Sequence, residues 1–180
     1  MTTRSMAIMA AFILASLMGF HAAMSADRPI RIAFVDTGNT GRSITAEALA
    51  LAAIAKEHRN VQVISRAVDL NPYNIRPEEN FVILLRPRGI DTSAHIAAPF
   101  GPQDAKFSDI ILTMTSKHKA WVVANFPETK DKVFTLSDYA TGTEDDVLDA
   151  FGKPMAFYET VLTQLDSLVG KAIEKAAGKP

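Results

Sequence analysis

Short, continuous apolar runs alternate along this chain with longer segments in which apolar residues return every three or four positions. The runs at 30–35, 61–65, 109–114 and 133–136 are rich in branched residues and too short for helices, so they predict β-strands. Segments 43–58, parts of 78–85, 117–125 and 154–177 read as helices. In the last of these Met155, Tyr158, Val161, Leu162, Leu165, Leu168 and Val169 recur at helical spacing, a stripe that needs a core to cover it. Strands alternating with helices predict a parallel sheet covered on both faces. Residues 69–77, containing Asn71-Pro72-Tyr73-Asn74 and Arg76-Pro77, carry the turn chemistry of a loop.

The N-terminus follows a different pattern. Arg4 precedes an apolar run from Met6 to Phe20, and the small residues Ala22-Ala23-Met24-Ser25-Ala26 follow it. That is the pattern of a secretory signal peptide, which predicts a signal over 1–26, one domain over 27–180, and a periplasmic or secreted address. The apolar run is short for a membrane span, and an uncleaved N-terminal anchor is the other reading. After cleavage no membrane span is expected.

With 180 residues, 48% of them apolar and 22% charged, the chain suits one α/β domain. Its formal net charge of −1, with the basic residues scattered, argues against a nucleic-acid partner. There is no cysteine, which excludes a disulfide framework, a lipoprotein anchor and any thiol–disulfide relay. For an exported protein this is chemically intelligible, because a reactive thiolate in an oxidising compartment is prone to oxidation.

The candidate chemistry lies in Phe34-Val35-Asp36-Thr37-Gly38-Asn39-Thr40-Gly41-Arg42-Ser43, where a strand feeds a glycine-containing loop that opens into a helix. Such a loop turns backbone N–H groups inward, and the helix adds its unpaired donors and the positive end of its dipole. Gly38 and Gly41 are expected to supply the required backbone angles, Asn39 tolerates the left-handed region, and Arg42 offers two parallel donors to a phosphate. An anion is the expected occupant.

The same segment resembles the signature of the low-molecular-weight protein-tyrosine phosphatases, in which a cysteine, five residues, an arginine and a serine precede a helix carrying Ala-Glu-Ala. Asp36 stands where that cysteine belongs, with Arg42, Ser43 and Ala46-Glu47-Ala48 in register. The likeness runs on through the segments 89–95 and 109–115, then His118, 132–136, 146–152 and the terminal helix with Tyr158. It is nearest the bacterial branch that includes protein-arginine phosphatases, where a loop threonine, here Thr40, helps select phosphoarginine. The resemblance implies a three-layer α/β/α fold with a four-stranded parallel sheet and the loop at the carboxyl end of its first strand. It further implies that Thr37, Gly38, Asn39, Thr40, Gly41, Arg42 and Ser43 bind phosphate, that Ser43 hydrogen-bonds the group at position 36, that Asp149 is the general acid, and that Phe151 is an apolar wall. Two departures stand out. Ser65-Arg66-Ala67 replaces the usual Ser-Ala-Gly, and Ala150 replaces the proline after the acid, loosening a turn.

Asp36 admits three readings. As a nucleophile it would form an acyl-phosphate, though enzymes that do so bring Mg²⁺, and no carboxylate cluster with metal spacing accompanies this loop. As a built-in anion it would accept hydrogen bonds from the loop amides and Arg42, mimicking phosphate in a catalytically impaired homologue. As part of a modified site it would meet a guanidinium or amine while Arg42 holds an anionic end. No metal or organic cofactor is expected, and the expected partner is phosphate or a phosphorylated small molecule or protein.

The run Asp36-Thr37-Gly38-Asn39-Thr40 is also similar to the phosphate motif of actin-like folds, but there it turns into a second strand and here into a helix. His95 and His118 lack metal-ligand spacing and are expected to cap or pack, and Trp121 to pack or to rim the pocket. Lys56, Lys117, Lys119, Lys130 and Lys132 read as surface charge.

Overall fold

A computed structural model describes residues 28–178, so the expected signal segment 1–26 lies outside the described residues. The element order is β1 (Ile30–Asp36), α1 (Arg42–Glu57), β2 (Val61–Ala67), α2 (Glu79–Leu85), α3 (Pro102–Phe107), β3 (Ile110–Thr113), α4 (Ser116–Asn125), β4 (Val133–Thr135), α5 (Leu136–Thr141) and α6 (Met155–Ala177). Single 3₁₀ turns follow α2 and α4, at Arg86–Arg88 and Pro127–Thr129. All strand pairs are parallel, in the order β2-β1-β3-β4. The expected three-layer α/β/α fold is present.

Strand β1 explains the layering. Its side chains alternate between faces, as strand geometry requires, and both faces are apolar. Ile32 and Phe34 join the core beneath α1, α2, α5 and α6, whereas Ala33 and Val35 join a smaller core beneath α3 and α4. A strand buried on both sides reads as a continuous apolar run, which is why the sequence signal at 30–35 shows no alternation. The stripe on α6 is buried as its spacing predicts, with Val161 and Leu165 wholly inaccessible. Trp121 packs with Phe126 in the smaller core and does not reach the pocket rim.

Two short helices, α3 and α5, were not legible in the pattern. Each is only 6 residues long, too short for a helical period to repeat. Helix α3 begins at Pro102 and α5 is capped by the Thr135 hydroxyl, which accepts from the Asp138 N–H at 3.2 Å. Lys132, expected to be plain surface charge, instead donates to the Ala105 and Ser108 carbonyls at 2.7 Å each, satisfying acceptors that the end of α3 leaves free.

Among the described residues no helix is long and apolar enough to cross a membrane. The long terminal helix is held by its buried stripe, so Leu165→Ala should lower unfolding free energy by about 2–5 kcal/mol in a urea titration of the folded domain.

Candidate functional site

At the carboxyl end of β1, Asp36 is only 3% exposed. Its carboxylate accepts the Asn39 N–H at 2.6 Å through one oxygen and the Ser43 N–H at 2.8 Å through the other. The chain from 36 to 43 is therefore wrapped around its own first side chain. Asn39 makes the turn, with φ 57°, the left-handed conformation that asparagine tolerates best among residues with a side chain. Gly38 and Gly41 were expected to supply the angles of the nest; neither has positive φ, although Gly41 takes φ −119° and ψ −96°, outside the helical and extended regions. Gly41 also provides room, since a Cβ there would overlap the Glu78 carboxyl.

Asn39 is fully buried and every polar group of its side chain is used. Its amide nitrogen donates to the Ser43 hydroxyl at 3.0 Å and to the Ser65 hydroxyl at 2.8 Å, while its Oδ1 accepts the Ala98 N–H at 3.0 Å and pairs with His95 Nε2 at 3.2 Å. Ser65 passes the chain on by donating to Glu47 on α1. The Ser43 hydroxyl thus belongs to Asn39, and it is the Ser43 backbone N–H that meets position 36, a correction to the expected role of that side chain. His95 holds the loop from outside, also contacting the Asn39 carbonyl at 3.1 Å.

Arg42 does not meet Asp36, although the built-in-anion reading expected it to. Its guanidinium donates to the Val147 carbonyl at 3.1 Å and to Asp149 at 2.9 Å, and forms no bond to Asp36. The arginine side chain is 8% exposed and that of Asp149 58%. An ion pair this open is worth about 0–1 kcal/mol, so an incoming anion can displace Asp149. The two backbone bonds to buried Asp36 are charge-assisted and worth roughly 1.5–3 kcal/mol each, so the same anion cannot easily displace that carboxylate.

Asp36, Arg42, Asp149, Phe151, Thr40 and Gly41 line one cavity of about 280 Å³, together with Thr37, Gly38 and the side of the 69–78 segment. Phe151 is 65% exposed and forms the rim. The turn it sits in is tied by its N–H to Asp149 at 3.1 Å and by the Lys153 N–H to the Ala150 carbonyl at 2.9 Å, so hydrogen bonds hold this segment where a proline was expected to. Among the described residues the N–H groups of Gly38, Thr40 and Gly41 have no protein acceptor and remain available to a ligand. Asn39 and Ser43 are not part of that surface, because their N–H groups are taken by Asp36 and their side chains are buried beneath it.

Two residues outside the expected set bear on this site, one from behind the loop and one inside the cavity. His118 touches the Thr37 hydroxyl at 2.9 Å through Nε2, and burial, helped by the Arg42 charge, holds its pKa below the ordinary 6.5 despite nearby carboxylates. Glu78 follows the 69–77 loop, and its carboxyl enters the cavity beside Gly41. Burial raises its pKa, the Tyr158 hydroxyl that donates to it at 2.7 Å opposes the rise, and the Asp149 and Asp36 charges add to it. The Tyr158 phenol is in turn pushed up to about 12 by burial and by Glu78. No cluster of histidines and carboxylates suited to a metal occurs among the described residues.

Residues 31–179 match the family described as low molecular weight phosphotyrosine protein phosphatase. The chain belongs to this family. Within the phosphatase family it is 35% identical over 147 residues to the protein-arginine-phosphatase of Geobacillus stearothermophilus, covering 82% of this chain and 96% of that protein. It is 37% identical over 138 residues to the protein-arginine-phosphatase of Bacillus subtilis strain 168, covering 77% and 91%. A solved structure of YwlE arginine phosphatase, a cysteine-to-serine variant with a phosphorylated active-site serine, superposes with a TM-score of 0.79 at 33% identity over 83% of this chain and 97% of that one. The chain falls on the branch of phosphatases that includes these protein-arginine-phosphatases.

Asp36→Ala should destabilise this phosphatase-family domain by about 1–3 kcal/mol in urea, because two buried N–H groups lose their acceptor, with partial recovery on adding phosphate. For His118, NMR titration should give a midpoint below 6.5. Because the folded state binds that proton less readily than the unfolded chain, its contribution to stability is complete above 6.5 and is lost as pH falls through the lowered midpoint.

Proposed function

We propose that this protein is an exported phosphatase homologue that lacks the cysteine nucleophile, is impaired in the family's chemistry, and binds phosphate or a phosphorylated ligand. The observation that carries this reading is the Asp36 carboxylate, which sits at the head of the loop with both oxygens engaged by the Asn39 and Ser43 N–H groups. A carboxylate so held is a poor nucleophile, since attack on phosphorus would require it to surrender two charge-assisted bonds. The free N–H groups of Gly38, Thr40 and Gly41, the start of α1 and the displaceable Arg42 still form a surface for an anion. Export rests on the N-terminal pattern of Arg4, the apolar run and the small residues that follow, and the absence of cysteine suits an oxidising address.

A second reading has a specific observation behind it. In the YwlE variant an oxygen nucleophile at the active-site position carries a phosphoryl group. By analogy Asp36 would form an aspartyl-phosphate, Arg42 would hold the phosphoryl oxygens, and Asp149, on the cavity wall at the pocket mouth, would protonate the leaving group.

Hydrolysis of p-nitrophenyl phosphate and phosphoarginine by the mature protein, with and without Mg²⁺, separates the two. Wild type should turn over no faster than Asp36→Ala, and Asp36→Cys should exceed both by several orders of magnitude, the scale on which removal of a nucleophile is felt. Wild-type turnover abolished by Asp36→Ala would replace the first reading with the second.

A further inference from the structure

The cavity is oddly charged for a phosphate site. Asp36, Asp69, Glu78 and Asp149 line it against a single cation, Arg42. Asp36 is satisfied by backbone, Asp149 pairs with Arg42 and Asp69 is exposed to solvent, which leaves half-buried Glu78 as the carboxyl whose role the bound-anion reading does not explain. Its position is also enforced from three sides. The Glu78 N–H donates to the Thr40 carbonyl at 2.8 Å, the Tyr158 hydroxyl donates to one carboxyl oxygen at 2.7 Å, and the other oxygen lies against Gly41, where any side chain would meet it. Backbone, side chain and a missing Cβ thus deliver one carboxyl to the edge of the anion loop.

We propose that Glu78 is the specificity-determining residue of this pocket, selecting phosphoryl groups that carry a proton, or an N–H next to phosphorus, over fully ionised tetrahedral anions such as sulfate. This rests on the reading of the loop as an anion site. A carboxylate has only acceptor atoms, so beside a bound anion it is repulsive unless the anion itself brings a hydrogen to share. Monoprotonated phosphate brings one on oxygen and a phosphorylated guanidine brings one on nitrogen, whereas sulfate at neutral pH brings none. Like charges brought together in a desolvated site cost several kcal/mol, enough to exclude the wrong anion.

The charged groups facing Glu78 are Asp36 from the end of β1, Arg42 from α1 and Asp149 from the segment before α6, with the neutral, titratable Tyr158 from α6 itself. Asp69 lines the same cavity. Burial and the two aspartates raise its pKa against the opposing Tyr158 hydroxyl and Arg42 charge, so as pH falls the acid form, which can donate, gains population and the objection to sulfate weakens.

The test is calorimetric titration of the mature protein with inorganic phosphate and with sulfate at pH 7 and pH 5, for wild type, Glu78→Gln, Gly41→Ala and Asp36→Ala. Sulfate keeps one charge state across this range, so any change in its affinity reports on the protein. Wild type should prefer phosphate over sulfate by about tenfold or more at pH 7, a gap that narrows at pH 5. Glu78→Gln, which supplies an N–H in place of the acceptor, should bring the two anions within about twofold at both pH values. Gly41→Ala pushes the Glu78 carboxyl away from the loop against its Tyr158 bond and should narrow the gap in the same direction. If Glu78→Gln keeps the wild-type ratio, or wild type does not discriminate, Glu78 is not the selector although the anion site stands. If neither ion binds wild type or Asp36→Ala, the anion reading fails and this inference fails with it.

Discussion

Everything at the working end of this molecule depends on a carboxylate bound by the loop that follows it. Asp36 is held by N–H groups three and seven residues later, and that closure requires Asn39 to take a left-handed turn while buried. Left-handed backbone and loss of solvent both disfavour an asparagine, and the turn persists because its side chain is fully satisfied by Ser43, Ser65, Ala98 and His95. These partners come from α1, β2 and the segment before α3. The loop shape is consequently a property of the fold and does not await a ligand.

Arg42 plays the complementary part. It leaves the loop that bears it and reaches Val147 and Asp149, so the segment before α6 is tied to the start of α1 through one guanidinium. Val147 is itself buried and donates its N–H to the Met114 carbonyl at 2.8 Å, which fixes this segment to the end of β3. Fixed main chain at 147 and an open carboxylate at 149 give Arg42 one permanent partner and one exchangeable partner.

The strands and the long helices were legible because their signals are collective. Four apolar runs and one seven-residue stripe average over many side chains, and the fold follows from them with boundary shifts of a residue or two. Helices α3 and α5 were not legible, being held by a proline, a threonine cap and a lysine from another element instead of by a period. At the site the loop residues were identifiable from their order, yet their partners were not. That Ser43 serves through its backbone is a local matter seven residues long, but that Arg42 bypasses Asp36 for Asp149, that His118 reaches Thr37 and that Tyr158 holds Glu78 in the pocket depend on contacts between residues 80 to 107 positions apart. A signal for Glu78 did exist in the sequence, since a glycine in an anion loop suggests a close neighbour as readily as an unusual backbone angle.

The fit of Glu78 against Gly41 has an evolutionary corollary. Position 41 can acquire a side chain only if position 78 withdraws its carboxyl, and a carboxyl can arrive at 78 only if 41 is already bare. The two sites therefore constrain one another's history. Descendants of this chain should carry glycine and glutamate together or lose them together, and a lineage passing through one without the other would hold a pocket that is either crowded or half empty.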